Sequence, residues 1–311
     1  MAEERYAIPF QELRAGQAEL VGGKCANLGE LTAAGFPVPP GFAVTTAAYG
    51  RDDIGAAVAE AYAELGREVG IADPPVAVRS SAVAEDMPDA SFAGVQDTYL
   101  WLCGAEAVLD GVRRCWASVH NPEAVAYRAE RGIASGSMSV AVQYMVDARV
   151  AGVLFTLNPV SGDRSSIAID ASYGLGVSVV SGEVTPDSFL LSKVTREISR
   201  RQIGAKATEV VADPAAATTV LREVPEALRA QPCLTDEEIG RLGEIGRRIE
   251  AHYSHPQDVE WAIDRHLGEL FILQSRPETV WSRKPRAQPI AGGAMAMITA
   301  ALTGRPVTSK E

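Results

Sequence analysis

The stretch Asp258–Pro277, DVEWAIDRHLGELFILQSRP, reads as two short strands around a tight turn centred on Arg265 to Gly268. If Glu260 pairs across from Gln274, period-two alternation puts Val259, Trp261, Ile263, Phe271 and Leu273 on one face. Asp258, Glu260, Gln274 and Arg276 then share the other. The apolar face builds a core. The polar face gathers carboxylates, an amide and a guanidinium at one end of the hairpin. Carboxylate and amide oxygens are hard ligands that suit Mg2+, and a guanidinium grips phosphate through two N–H groups. The same spacing also fits a solvated strand face with incidental ion pairs.

Outward from the hairpin, LTDEEIGRLGEIGRRIEAHY (234–253) opens with a capping box from Thr235 to Glu238. It sets Ile239, Leu242, Ile245, Ile249 and Tyr253 at helical spacing, so it predicts an amphipathic helix packed on a sheet. Residues 204–232 are alanine-rich with little periodicity and read as a peripheral connection. From about 138 the chain becomes β-rich, with strand-like runs MSVAVQYMV, AGVLFTLN, SSIAIDAS and DSFLLSKV separated by turn residues. The first half alternates helices and extended runs: a helix near 25–34 ending at Gly35, a strand in PVPPGFAVTT, a helix over 53–69, a strand in PVAVRSS and a helical stretch over 105–131.

Three further stretches offer chemistry. LVGGKCANLGE (20–30) places Lys24 near a helix N-terminus, where amides and dipole favour an anion; taken alone, the stretch fits an ordinary turn with a surface lysine better. It is not a Walker A loop, which would need Gly at Ala18 and Ser or Thr at Cys25. VAVRSSAVAEDMPDASFAGVQ (76–96) ends a strand in Arg79-Ser80-Ser81 and continues into a small-residue loop around Ser91 to Gly94. Cation, hydroxyls and backbone donors there suit a phosphate clasp; the plainer reading pairs Arg79 with Glu85 or Asp86 over a flexible loop. The apolar run past Gln143 and Met145 suits an adenine ring if its main-chain groups are exposed, and otherwise is a pair of buried strands.

Composition narrows the class. The net charge of −11 disfavours a broad nucleic-acid surface, because phosphate neutralisation needs clustered Lys and Arg. No run approaches the roughly 20 apolar residues of a bilayer helix, and MAEERYAIPF opens on charge, so a cytoplasmic location is expected. The four cysteines form no C-x-x-C pair, and the four histidines, His120, His252, His255 and His266, have no metal-ligand spacing. No G-x-S-x-G elbow or Ser-His-Asp arrangement is present.

The motifs VGGKCANLGEL, VPPGFAVTT, VRSSAVAEDMPDASFAGVQDT, AGVLFTLNP, YGLG with VSGEVTPD, and PQDVEWAID with LFILQSRPETVW occur in one order across roughly residues 5–282. The chain thereby resembles the N-terminal ATP-binding domain of the phosphoenolpyruvate synthase, pyruvate phosphate dikinase and rifampin phosphotransferase family. The resemblance implies an α+β, ATP-grasp-like fold whose two lobes clasp a nucleotide in the cleft between them, over residues 1–282, with 283–311 as a linker or docking tail. It implies that Lys24 and Arg79 hold the triphosphate, that Glu260 and Gln274 bind Mg2+, and that Arg276 contacts the phosphates. The β-phosphoryl of ATP would pass to a histidine on a mobile domain and then to a distant acceptor.

Two departures shape this expectation. The family commonly has Glu after GLG, where Val177 stands here. Its phosphohistidine pattern GG-x-x-x-H has its nearest echo in GGAMAM (292–297), with Met297 at the histidine position. The expectation is therefore an Mg-ATP-binding phosphotransferase component that works with a phosphohistidine domain or protein in trans. Its final acceptor is a small molecule such as pyruvate, a phenol or a drug hydroxyl, with neither nucleic acid nor membrane as partner. The rival readings are a non-catalytic nucleotide-sensing module and an ATP-grasp carboxylate ligase.

Overall fold

Alternating apolar residues fold this chain into antiparallel sheets backed by helices, an α+β arrangement. The computed structural model describes residues 5–82, 98–122, 125 and 137–281. Met1–Glu278 form one compact unit and Thr279–Glu311 a second.

The first sheet contains β1 (Ala7–Pro9), β2 (Gly41–Val44), β3 (Val76–Ala82), β4 (Thr98–Leu102) and β5 (Met138–Tyr144), in the order β1-β2-β5-β3-β4. Phe42, Val44, Val76, Val78, Val140 and Val142 turn one face toward α2 (Gly55–Val69) and α3 (Ala105–Ser118). The opposite face carries small and polar side chains, with Ser81 across from Ser139, Arg79 across from Ala141 and Ala77 across from Gln143. This polar ladder is what the first sheet contributes to the site.

The second sheet runs β13-β12-β6-β7-β8-β9, built from β6 (Ala148–Phe155), β7 (Ser166–Tyr173), β8 (Asp187–Ser192), β9 (Ile198–Gln202), β12 (Gln257–Asp264) and β13 (Leu270–Pro277). The β-rich run that begins near 138 is thus divided: β5 completes the first sheet and β6 starts the second. Ahead of β8 lies the one-turn helix α4 (Val177–Val180). Residues 204–232, read from sequence as a peripheral connection of little periodicity, form a two-stranded ribbon, β10 (Thr208–Asp213) with β11 (Thr218–Glu223), and the short helix α5 (Glu226–Arg229). Val210, Val211, Val220 and Leu221 pair within it, and the Asp213 carboxylate caps its turn by accepting from the amides of Ala215 and Ala216. The low-periodicity alanines occupy that turn, which is why the flanking strands were masked in the sequence.

The long helix α6 (Asp236–Tyr253) has the predicted capping box, with Thr235 Oγ1 accepting from the Glu238 amide at 3.2 Å and Glu238 Oε2 accepting from the Thr235 amide at 2.8 Å. Ile239, Leu242, Ile245 and Ile249 lie on the second sheet against Leu154, Ile167, Ile169, Phe189, Trp261 and Ile272. Helix α1 (Ala18–Ala33) touches both halves. Val21, Cys25 and Leu28 pack with Ala43 and Ala141 of the first sheet, while Leu31 belongs to the core of the second.

The decisive hairpin is β12–β13, with Glu260 opposite Gln274 and Asp258 opposite Arg276, as the spacing required. The apolar face differs from expectation. Between Glu260 and Trp261 the register shifts, so Trp261 faces Ile272 and Leu273 is an extra residue. Leu270 and Ile272 therefore join Val259, Trp261 and Ile263 in the core. Phe271 and Leu273 turn the other way, onto a small cluster of Val146, Ala148, Ala151, Leu175 and Ala262. The four consecutive apolar residues LFIL satisfy either phase, so alternation alone could not reveal the bulge.

Candidate functional site

The site is assembled where α1, the polar ladder of the first sheet and the polar end of the β12–β13 hairpin converge. Gly22 breaks the helical path of α1 with φ +71° and ψ 163°, a conformation open to glycine at little cost. A Cβ there would also collide with the carbonyl and hydroxyl oxygens of Ser81. Two residues on, Lys24 is 3% exposed and its Nζ donates to the Ser80 carbonyl at 2.7 Å. Lys24 is therefore a buried cation rather than a surface one.

Arg79 leaves β3 on the polar face and spans to the second sheet. Its Nη2 donates to Glu260 Oε2 at 2.8 Å and its Nη1 to the Leu273 carbonyl at 3.4 Å, while Nε is buried with no protein partner. The alternative partners Glu85 and Asp86, like the candidate residues Ser91 and Gly94, lie outside the described residues. Burial would raise the Glu260 carboxyl, but the charge and hydrogen bond of Arg79, together with Lys24 and Arg276, outweigh it and hold the pKa below the ordinary range. Glu260 is thus ionised at neutral pH and surrounded by three cations.

Beside it, Gln274 is 6% exposed and its Oε1 is buried without a protein partner. Asp258 Oδ2 faces Arg276 Nε at 3.5 Å, and Asp258 Oδ1 is likewise buried and unpartnered. Burial pushes the Asp258 carboxyl up to about 6, with Arg276 opposing the shift and Glu278 adding to it. Three side chains on one face therefore present hard oxygens, two of them with a buried oxygen that no protein donor satisfies. That donor set fits a divalent cation such as Mg2+.

A pH effect follows from Asp258. Its folded pKa lies above the unfolded value near 3.9, so in metal-free buffer it contributes stability below that pH which is lost as pH rises through about 6. Asp258→Asn should remove this dependence. Denaturant titrations at pH 4 and pH 7 are expected to show the wild type losing up to about 3 kcal/mol relative to the variant across that interval.

Gln143 lies on the same face of the first sheet as Arg79, opposite Ala77, and its Nε2 is buried without a partner. Exposed main-chain groups just after it would suit an adenine ring. The amides there are engaged instead, since Tyr144 N donates to the Pro40 carbonyl at 2.8 Å and Met145 N to that of Pro75 at 2.9 Å. Met145 itself is half-buried and, with Leu100, Val210, Phe271 and Leu273, forms an apolar shelf around Ala262. Val177 is exposed at the start of α4. The hydroxyl of Ser81, which the sequence offered as a phosphate donor, is bonded to the α1 backbone. Ser139 also bonds the Val21 carbonyl and gave no signal within its apolar strand.

Cations from three elements facing carboxylate and amide oxygens, next to an apolar shelf, mark out the site of this α+β protein. The chain belongs to the pyruvate phosphate dikinase AMP/ATP-binding domain family, whose model matches residues 18–52 and 50–294. It is 42% identical over 320 residues to a probable phosphoenolpyruvate synthase of Methanothermobacter thermautotrophicus, covering 88% of this chain and 46% of that protein. It is 37% identical to the phosphoenolpyruvate synthase of Pyrococcus furiosus, covering 91% and 45%. With the rifampicin phosphotransferase of Streptomyces sviceus it shares 42% identity, covering 89% and 36%. The chain spans less than half the length of these relatives. Among solved structures, D-alanyl-alanine synthetase A from Vibrio cholerae has 12% identity and a TM-score of 0.35, covering 92% of this chain and 67% of that one, a likeness too slight to bear on the fold. No helix among the described residues is long and apolar enough to cross a membrane.

Proposed function

We propose that this chain is the Mg-ATP-binding part of a phosphoenolpyruvate synthase-like or rifampin phosphotransferase-like phosphotransferase, donating the β-phosphoryl of ATP to a histidine on a separate domain or partner. The observation that carries the reading is the convergence of Lys24, Arg79 and Arg276 on Glu260. In this reading each sheet is the base of one lobe, and the two lobes clasp the nucleotide in the ATP-grasp manner.

Glu260 and Gln274, with Asp258 beside them, are the oxygen ligands available to Mg2+. Bound there, the ion would neutralise phosphate charge and hold the triphosphate in line for displacement. Lys24 and Arg276 supply cations for the phosphates, and Arg79 keeps Glu260 ionised and oriented. The shelf of Met145, Phe271 and Leu273 offers the purine an apolar surface, with Gln143 as a polar group beside it. Positioning and charge neutralisation are the greater part of what phosphoryl transfer needs from a protein.

Nucleotide products test the reading. The chain is incubated with Mg-ATP, with and without a histidine-domain partner, and AMP is resolved from ADP. Partner-dependent AMP is expected, and Arg276→Ala should reduce it about 10²-fold, the scale of removing one charge-stabilising donor. ADP would instead indicate a kinase or an acyl-phosphate-forming ligase. A non-catalytic nucleotide-binding module is the second reading, favoured by the exposed apolar Val177 at a position the family commonly gives to Glu. Nucleotide binding without AMP formation would support it.

A further inference from the structure

The break in α1 is closed by a side chain from a different element. In an uninterrupted helix the Val21 carbonyl would accept directly from the Cys25 amide. Gly22 stands between them with φ +71° and ψ 163° and turns the chain off the helical path. The Ser81 hydroxyl occupies the gap: it accepts from the Cys25 amide at 3.2 Å and donates to the Val21 carbonyl at 3.1 Å. Its cross-strand neighbour Ser139 reaches the same Val21 carbonyl and also lies 2.9 Å from the Ser81 carbonyl. Both serines are fully buried. The residue between the spliced amide and the glycine pair is Lys24, whose ammonium is held by the carbonyl of Ser80, the neighbour of Ser81 on β3.

We propose that Ser81 is a positioning residue for Lys24: its hydroxyl splices the broken helix and so fixes where the lysine enters the site. This rests on the reading of Lys24 as a phosphate-binding group. The splice couples three members of the site through one strand, because β3 supplies Arg79 to Glu260, Ser80 to the Lys24 ammonium and Ser81 to the backbone on either side of Lys24. Without the hydroxyl, a buried amide and a buried carbonyl each lose a partner, and the start of the second helical segment is free to shift. Lys24 would then meet the triphosphate in several orientations rather than one. A nucleoside, which has no phosphate for Lys24 to read, would be unaffected.

The experiment has two arms on the full chain. In the nucleotide-free protein, amide hydrogen exchange followed by NMR is expected to speed up about tenfold at Cys25 in Ser81→Ala, with the amides of α6 unchanged. Ser139→Ala, which touches the Val21 carbonyl but not the Cys25 amide, is expected to leave Cys25 within about twofold. Ser81→Cys, a weak acceptor of similar size, should fall between wild type and Ser81→Ala. Unchanged Cys25 exchange, or uniform acceleration over the whole chain, overturns the splice.

In the second arm, calorimetry compares Mg-ATP with adenosine. Ser81→Ala is expected to weaken Mg-ATP about tenfold and adenosine not at all, and Lys24→Ala/Ser81→Ala to bind Mg-ATP no more weakly than Lys24→Ala alone. Equal losses for both ligands, or losses that add, overturn the positioning role. If Lys24→Ala binds Mg-ATP as the wild type does, the phosphate reading of Lys24 fails and the positioning role with it, while the exchange arm still decides the splice.

Discussion

Arg79→Met is expected to lower the partner-dependent AMP formation proposed above about 10²–10³-fold and to destabilise the fold by about 1.5–3 kcal/mol at neutral pH. Both effects come from one contact. The guanidinium is the foremost of the three cations that together outweigh burial at Glu260, and it takes the Leu273 carbonyl as a second acceptor. With Arg79 in place, Glu260 contributes stability above its unfolded pKa near 4.3, lost as pH falls below that value. In the variant that contribution shrinks. Burial is then opposed by Lys24 and Arg276 alone, so less stability is gained between pH 4 and neutral. Arg79→Met/Glu260→Gln separates the two effects: the neutral amide should restore most of the stability while turnover stays low. Urea unfolding at pH 4 and 7, alongside AMP release, measures this. Full stability in Arg79→Met at pH 7 would count against the cross-sheet ion pair as the group that organises the site.

Lys206→Met carries the largest expected cost to the fold itself, about 3–5 kcal/mol, seen as a fall of roughly 10 °C in Tm. Lys206 and Asp187 form an ion pair in which both side chains are fully buried. All three ammonium hydrogens are used. The lysine also donates to the carbonyls of Gly204 and Arg229, each at 2.9 Å, and the aspartate accepts from the amides of Gly204 at 2.9 Å and Cys233 at 2.8 Å. This knot ties the start of β8 to the segments on either side of the β10–β11 ribbon. Removing the cation leaves a buried carboxylate with backbone donors but no counter-charge. Asp187→Asn/Lys206→Met should recover much of the loss, since neutral partners need no compensation. Differential scanning calorimetry of the wild type and the two variants decides it, and equal Tm values for the single and double variants would contradict a charge-based cost.

What the sequence made legible was local in character. The hairpin that pairs Glu260 with Gln274, and the capped amphipathic helix at Asp236–Tyr253, depend on periodicity and end chemistry that lie within a few residues. The contacts that turn candidate residues into a cluster do not. Arg79 and Glu260 are separated by 181 positions, Cys25 and Ser81 by 56, and no spacing rule spans such distances. Serines in a strand look alike whether they face phosphate or backbone, so Ser81 was assigned the wrong kind of partner. The β10–β11 ribbon was missed for a third reason: its turn is built of Pro214 and alanines, and β11 is exposed on both faces, so no apolar alternation marks it.

The register shift in the hairpin has a genetic consequence. Leu273 is the residue left unmatched between the Glu260–Gln274 and Trp261–Ile272 pairs, and it is its carbonyl that faces Arg79. One additional codon in the gene is thereby expressed as an oxygen ligand for a guanidinium, independent of which side chain that codon specifies. Point mutation at 273 trims an apolar surface and leaves the oxygen in place; a single-codon deletion leaves both neighbouring pairs in step and takes the oxygen away. Drift in this strand is accordingly permitted in spelling and forbidden in length.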